Sequence, residues 1–481
     1  MNPLLIGGII GAILFLLLGM GLPVAFALGL TALISVALFL TASELGYFST
    51  LVFDSLNSFS LLAIPLFILM GSIFGQSKAS KDLLEVANAW VGRLRGGLAM
   101  SSVVACSVFA ALTGSSPATS AAIGRIAIPE MLRRGYPGGV AAGAIAAGGT
   151  LGILIPPSVT LILYGITTEQ SIGQLFLGGV GPGVMVTVLF ALWIFVAVTL
   201  HRRKQARQPA ATVQVTSGNS GTSGTPSTTT GSAGPPSTEV PTTVSTAVSA
   251  ALEISDHTWR QRFAMLIKVL PFVALMSSIL VALYAGITTP SEAAGLGALI
   301  AIVLVAVLYR SITVRKLLDA ALETTRTSTM ILMIVAFSAV LGQVMSFLGV
   351  PQQLAQAVGA MDVNRWVIFL AINLVFLTLG FFIPPVAIIL ITMPVLFPII
   401  TQLGFDPIWF GVVMTLNMEM GLITPPVGLN LYVVQGIAPE IPLREILRGT
   451  LPYVGVLAFG IVLLIFVPGV VTWLPNQMFG G

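Results

Sequence analysis

The chain has 481 residues, a net charge of +4, 56% hydrophobic residues and only 8% charged ones, with a mean hydropathy of +1.01. So little polar surface cannot clothe a water-soluble globule, so the lipid bilayer is its solvent and the fold class is an all-α polytopic membrane protein. The small positive charge reflects loop arginines and lysines, so no nucleic acid is expected as a partner. Cys106, the one cysteine, has no mate for a disulfide or a thiolate metal site.

Residues 3–19 form an unbroken apolar run without the basic start and cleavage site of a signal peptide, and read as a retained transmembrane helix. Further runs near the required length of about 20 residues fall at 21–41, 58–75, 137–165, 176–200, 265–287, 293–310, 327–348, 408–436 and 451–475, which makes ten full crossings. Two other stretches, 96–133 and 364–402, are about twice that length. Each carries a small-residue or proline knot at its centre, Thr113-Gly114-Ser115-Ser116-Pro117 and Gly380-Phe381-Phe382-Ile383-Pro384-Pro385. Each is either two full helices joined by a tight turn or a hairpin that turns inside the membrane. Residues 205–250 are a Thr/Ser/Gly/Pro/Val tract with almost no bulky apolar residue, expected to be a disordered cytoplasmic linker. The expected organisation is N-terminal scaffold helices (1–95), a first transport repeat (96–175), a scaffold helix (176–200), the linker (201–262), scaffold helices of the second half (263–350), a second transport repeat (351–440) and a C-terminal helix (441–481).

The division into repeats rests on a proline-broken apolar segment that occurs twice. Gly152-Ile153-Leu154-Ile155-Pro156-Pro157 is answered by Gly421-Leu422-Ile423-Thr424-Pro425-Pro426 at an offset of 269 residues. The same offset aligns Pro129 with Pro398 and Gly135 with Gly404, five glycine or proline matches where composition alone supplies about 0.6. Lys78, Lys81, Arg93 and Arg95 precede the first knotted stretch and Arg133-Arg134 follow it, so both its ends read as cytoplasmic. The second has only Arg365 nearby, and both its ends read as periplasmic. The repeats therefore have opposite topology, the pattern of a secondary transporter.

A proline lacks the amide that bonds the carbonyl four residues earlier. Pro156 and Pro157 thus free the carbonyls of Gly152 and Ile153, Pro425 and Pro426 those of Gly421 and Leu422, and Pro117 that of Thr113 if its segment is helical. Bare carbonyls in hydrocarbon need protein, water or an ion, and a hard cation held by neutral oxygens suits them. Ser115, Ser116 and Thr119 at the first knot, Thr150 and Ser158 at the first break and Thr424 at the second offer hydroxyls to such a shell. Past each break a half-helix begins, at Ser158 or Val427, and its amides can meet an anionic substrate. Against this stands the bland alternative, that a lone Pro-Pro is a packing kink and single serines are small-residue contacts; the duplication favours a site.

Intramembrane ionisable residues are costly and usually functional. Glu419, two residues before Gly421, is a proton carrier, a cation ligand or the buried partner of a polar contact. Arg125 either snorkels to the interface or meets a substrate carboxylate. Asn417 and Asn430, flanking the second break, are ligands or interhelical hydrogen-bond partners. The two histidines, His201 and His257, flank the linker, and there is no zinc-protease H-E-x-x-H and no phosphate-binding G-x-x-x-x-G-K-[ST]. No enzyme is expected, no catalytic residue and no cofactor; the energy comes from a gradient.

Leu61-Leu62-Ala63-Ile64-Pro65-Leu66-Phe67, the run Thr113 to Thr119, Ile128-Pro129-Glu130-Met131, Gly152 to Pro157, Thr289-Pro290-Ser291-Glu292-Ala293-Ala294 and Gly421 to Gly428 together resemble the large, DctM-like membrane subunit of tripartite ATP-independent periplasmic (TRAP) transporters. The resemblance covers nearly the whole chain apart from 201–262. It implies an inverted-repeat, elevator-type importer with two helical hairpins and two broken helices, coupled to sodium ions, in the bacterial inner membrane. It implies two partners, a small four-helix membrane subunit and a periplasmic binding protein that delivers an organic acid such as a C4-dicarboxylate or sialic acid. Carried onto this sequence, a first sodium site would involve Ser115, Ser116, Gly152 and Pro156, and a second Gly380, Pro384, Gly421 and Thr424. Ser116, Thr119, Arg125, Ser158 and Asn430 are the expected substrate contacts. A stand-alone sodium- or proton-coupled carboxylate carrier with paired hairpins is the nearest rival, and a purely structural membrane subunit would leave the paired breaks unexplained.

Overall fold

The computed structural model describes residues 2–40, 46–207, 258–309 and 313–479, so the expected linker lies largely outside the described residues. The N-terminal part comprises α1 (Pro3–Gly19), α2 (Val24–Phe39), α3 (Tyr47–Leu56), α4 (Ala63–Gly75) and α5 (Ala79–Val91). The first repeat follows as α6 (Gly97–Thr113), α7 (Ser116–Arg133), α8 (Gly138–Thr150) and α9 (Val159–Thr168), then the long α10 (Ile172–Arg207). After the linker come α11 (Trp259–Tyr284), α12 (Pro290–Val307), α13 (Val314–Phe347) and the short α14 (Val350–Gly359). The second repeat is α15 (Arg365–Gly380), α16 (Pro385–Gln402), α17 (Pro407–Leu422) and α18 (Leu429–Ile437), and α19 (Leu443–Phe466) and α20 (Gly469–Phe479) close the chain. No strand occurs among the described residues.

Among the described residues six helices can cross a bilayer by length and composition, α10, α11, α12, α13, α16 and α19, and a seventh if the segment from Tyr47 to Gly75, bent by 57°, counts as one span. The expectation of ten full crossings is corrected on three counts. The runs at 137–165 and 408–436 are not single spans but the pairs α8–α9 and α17–α18, because their prolines end one helix before the next begins. The run at 451–475 starts earlier, at Leu443, and stops at Phe466, two residues before Pro468, with α20 as a separate helix. The runs at 3–19 and 21–41 form apolar helices of 17 and 16 residues, at or just under the lower end of the spanning range of about 17–25 residues, and so stand outside the six.

Both knots are hairpin tips. Hairpin one (α6–α7) turns at Gly114, whose φ of 57° a side chain rarely tolerates. Hairpin two (α15–α16) turns through Phe381 to Pro384. Pro117 stands in the first turn of α7 rather than inside a continuous helix, so the condition under which it would free the Thr113 carbonyl is not met.

The repeats are interlocked. The half-helix α9 of the first repeat packs against α16, the second arm of hairpin two, and the half-helix α18 packs reciprocally against α7, the second arm of hairpin one. Tyr164 of α9 meets the Phe397 ring of α16 edge to face, and its hydroxyl donates to the Pro407 carbonyl at the start of α17 at 2.7 Å. The glycine- and alanine-rich α8 runs backbone to backbone against α19, where a Cβ on Gly143 would strike the Gly449 backbone and one on Gly449 would strike the Gly139 backbone. Around this unit α4 packs on α12 and α13, and α2 on α13. At the entry of hairpin two, Trp366, Phe369, Phe405 and Trp409 cluster edge to face and stacked, with the Arg365 guanidinium 5.5 Å from the Trp366 ring centroid, the composition of a membrane-interface belt.

Candidate functional site

Both tips and both breaks converge on one cavity of about 430 Å³. Hairpin one supplies Thr113 to Ala118 and Arg125, hairpin two Pro384 to Val386, the first break Ile153 with Val159 and Thr160 at the start of α9, and the second break Leu422 and Leu429. The remaining wall comes from α4 (Ser72, Gln76) and α13 (Glu323, Thr327). Of the expected site residues, Ser115, Ser116, Arg125 and Pro384 line the cavity. Arg125 is solvent-accessible and is its only cation among the described residues.

Each tip touches its own break through glycine. A Cβ on Gly152 would lie 2.9 Å from the Ser115 carbonyl carbon and 3.1 Å from the Ser116 nitrogen, and one on Gly421 would lie 2.7 Å from the Cα, carbon and oxygen of Gly380. The duplicated glycines thus admit a backbone-to-backbone approach that no other residue permits. Both Pro-Pro bonds, Pro156-Pro157 and Pro425-Pro426, are cis.

Not every freed carbonyl stays bare. Ser158 Oγ donates to the Ile153 carbonyl and accepts from the Leu161 amide, so this expected substrate contact is spent bridging the first break and does not line the cavity. The Gly421 carbonyl receives the Thr424 amide at 3.2 Å. The Gly152, Gly380 and Leu422 carbonyls, each four residues before a proline, receive no turn or cap bond among the described residues. Thr424 Oγ1 donates to Met420 O, which leaves its lone pairs available. Unbonded neutral oxygens therefore flank both tip-to-break contacts: the Gly152 carbonyl against Ser115 at the first, and at the second the Gly380 carbonyl against Gly421, with Leu422 and Thr424 next along the chain. A donor set of backbone carbonyls and hydroxyls fits a hard monovalent cation.

Two other expected contacts act inside the protein. Thr119 Oγ1 donates to Ser115 O at 2.9 Å and lies 2.9 Å from Thr113 Oγ1, holding the tip of hairpin one closed. Asn430, fully buried in the first turn of α18, donates through Nδ2 to Ser116 Oγ at 2.7 Å and to the Ala146 carbonyl at 3.0 Å. It joins the second repeat to the tip of the first. Pro156 lies at the break without lining the cavity. Asn417 donates to the carbonyl and side-chain oxygen of Asn373, both at 2.9 Å, an interhelical bond between α17 and α15.

Sequence reasoning missed the wall formed by α13, where Ser72 Oγ donates to Glu323 Oε2 beside Thr327. Glu323 stands before the apolar run at 327–348, but α13 begins at Val314 and carries it alongside the cavity. The only available signal was that Glu323 and Thr327 are spaced by four on one helix face.

The family model for the DctM component of the tripartite ATP-independent periplasmic transporter matches residues 12–470. The chain belongs to this family. Among DctM relatives, the C4-dicarboxylate TRAP transporter large permease protein DctM of Pseudomonas aeruginosa is 34% identical over 452 residues, covering 94% of each chain. The isethionate TRAP transporter permease protein DctMQ of Oleidesulfovibrio alaskensis is 31% identical over 95% of this chain, which spans 64% of that longer protein. The solved structure of Neisseria gonorrhoeae MtrF, described as illuminating a class of antimetabolite efflux pumps, matches with a TM-score of 0.57 at 14% identity, over 89% of this chain and 84% of that one. That likeness concerns the fold, one with hairpins and broken helices. Membership of the DctM family makes this chain a multi-pass transporter permease.

Proposed function

We propose that the chain is the permease subunit of a bacterial inner-membrane TRAP system that imports a small organic acid together with sodium. The observation that carries this is the cavity on which both hairpin tips and both breaks converge, with Arg125 as its one cation among the described residues. The substrate carboxylate pairs with Arg125 and borders the first turns of α9 and α18. The α18 turn has no side-chain cap, so its amides remain open to an anion. Ser116, held by Asn430, presents its hydroxyl from the tip.

In this reading sodium is held by the neutral oxygens at the two tip-to-break contacts, where its charge offsets that of the cargo. The interlocked repeats move as one elevator body against α4 and α13, which form the static wall of the cavity. The relative named as a DctMQ protein is a longer chain, of which this one spans 64%, and a small membrane subunit is the partner proposed for this one. A periplasmic binding protein would deliver the acid.

The test is uptake of labelled organic acids into vesicles holding the chain with its small membrane subunit and binding protein, with sodium and pH varied separately. Uptake should require sodium and all three components. Uptake by the chain alone would favour the stand-alone carrier, and uptake that follows pH while ignoring sodium would overturn the coupling.

A further inference from the structure

Glu419 is fully buried, and among the described residues it is the only acid whose two carboxyl oxygens are both buried without a hydrogen-bond partner. The offset that aligns the repeats pairs it with Thr150, the last residue of α8. These repeat-related residues meet. The Thr150 side chain adjoins the Glu419 carboxyl, and α17 packs against the turn Leu151–Ile153. The carboxyl therefore sits at the seam between the two breaks.

Among the described residues no side chain bonds to or pairs with it. Thr150 Oγ1 spends its hydrogen on the Ala147 carbonyl at 2.7 Å. Of the charged side chains on helices packed against α17, Arg365 stacks on Trp366 and Phe405, and Glu445, on the first turn of α19 between Arg444 and Arg448, accepts from the Gly139 amide. A carboxylate in hydrocarbon without a counter-charge is among the costliest arrangements a membrane protein can hold.

We propose that Glu419 holds a monovalent alkali cation at this seam, a third cation position separate from the two neutral-oxygen clusters. The inference builds on the sodium-coupled reading above. The two carboxylate oxygens and the lone pairs of Thr150 Oγ1 supply ligands. One negative charge cancels one positive charge, so the filled seam is neutral, whereas the neutral-oxygen clusters keep a net charge for the cargo to balance. A divalent ion would leave an excess charge, and no group of three His, Cys, Asp or Glu side chains gathers among the described residues to hold one.

The test is the thermal unfolding midpoint of the purified full-length protein in lipid nanodiscs, titrated with sodium chloride against choline chloride at constant ionic strength. The wild-type midpoint should rise with sodium. Glu419→Gln keeps the shape and removes the charge, and should need about tenfold or more sodium for the same rise, with a shallower curve. Superimposable titrations, or a wild-type midpoint indifferent to sodium, would overturn the proposal. Should Glu419→Gln fail to fold, Thr150→Val gives the second reading: a weakened sodium response supports the site and an unchanged one overturns it. The readout needs no cargo. Failure of uptake for every acid tried would therefore sink the transport reading alone, and an unshifted Glu419→Gln titration with intact uptake would sink this inference alone.

Discussion

The contact between Gly421 and Gly380 sets the geometry of the second break and can be tested by a single methyl group. In Gly421→Ala the new Cβ would meet three backbone atoms of Gly380 at 2.7 Å, while ordinary contact begins near 3.4 Å. The tip of hairpin two and the end of α17 must therefore part by about 0.7 Å, the difference of those distances. Neither side is a flexible side chain, so the strain cannot be relieved by a rotamer change. Overpacking of this kind costs about 1–3 kcal/mol, or about 5- to 150-fold in an equilibrium constant. The loss should appear as a lower unfolding midpoint together with a weaker response to sodium, because the Gly380 carbonyl moves away from the break at Gly421. Gly436→Ala is the control. No atom lies within 4 Å of its Cβ position in α18, so it should be neutral or stabilising by up to about 1 kcal/mol. Sodium-dependent stability in Gly421→Ala matching that of Gly436→Ala would refute the reasoning.

Three further outcomes are expected. Arg125→Gln should raise the substrate concentration for half-maximal uptake by about 10- to 150-fold, the worth of a charged hydrogen bond at about 1.5–3 kcal/mol, with assembly unchanged in gel filtration; an unchanged value would remove Arg125 from the site. Ser158→Ala strips a helix cap, worth about 1 kcal/mol, and bares the Ile153 carbonyl, so its unfolding midpoint should fall without loss of the sodium response. Asp82 of α5 has its carboxyl raised above the ordinary value of 3.8, chiefly by burial and against the pull of Lys268. The folded protein then holds that proton more tightly than the unfolded chain, so this group's contribution to stability falls as pH rises from about 3.8 through the raised value. Asp82→Asn should flatten that acidic limb in a pH series of unfolding midpoints.

The parts of this fold legible in the sequence were those written in proline and glycine. Gly114, the knot before Pro384 and the two Pro-Pro pairs locate both tips and both breaks, because the missing amide and the left-handed φ act on the backbone wherever the residue stands. Helices without such punctuation were less legible. The amphipathic α5 and α14 are too polar to read as spans, and Glu323 escaped notice because the charged first half of α13 resembles a loop. Pairings set by tertiary contact left no local trace. Nothing around Asn430 announces Ser116, 314 residues away, and nothing around Ser158 indicates that its hydroxyl turns back onto Ile153 rather than toward a ligand. Glu419 could be singled out as an ionisable residue, but its missing partner is visible only in three dimensions.

The exchange in which α9 rests on α16 while α18 rests on α7 has a consequence for the ancestry of the molecule. Neither half owns a complete cradle. Cut apart, each would expose the groove that its twin's short helix now fills. A lone half could have been useful only as an antiparallel pair of identical chains, each clasping the other, before fusion made the embrace permanent. Fusion also released the two copies from having to stay alike, and the seam bears the mark: a threonine in one half faces a glutamate in the other.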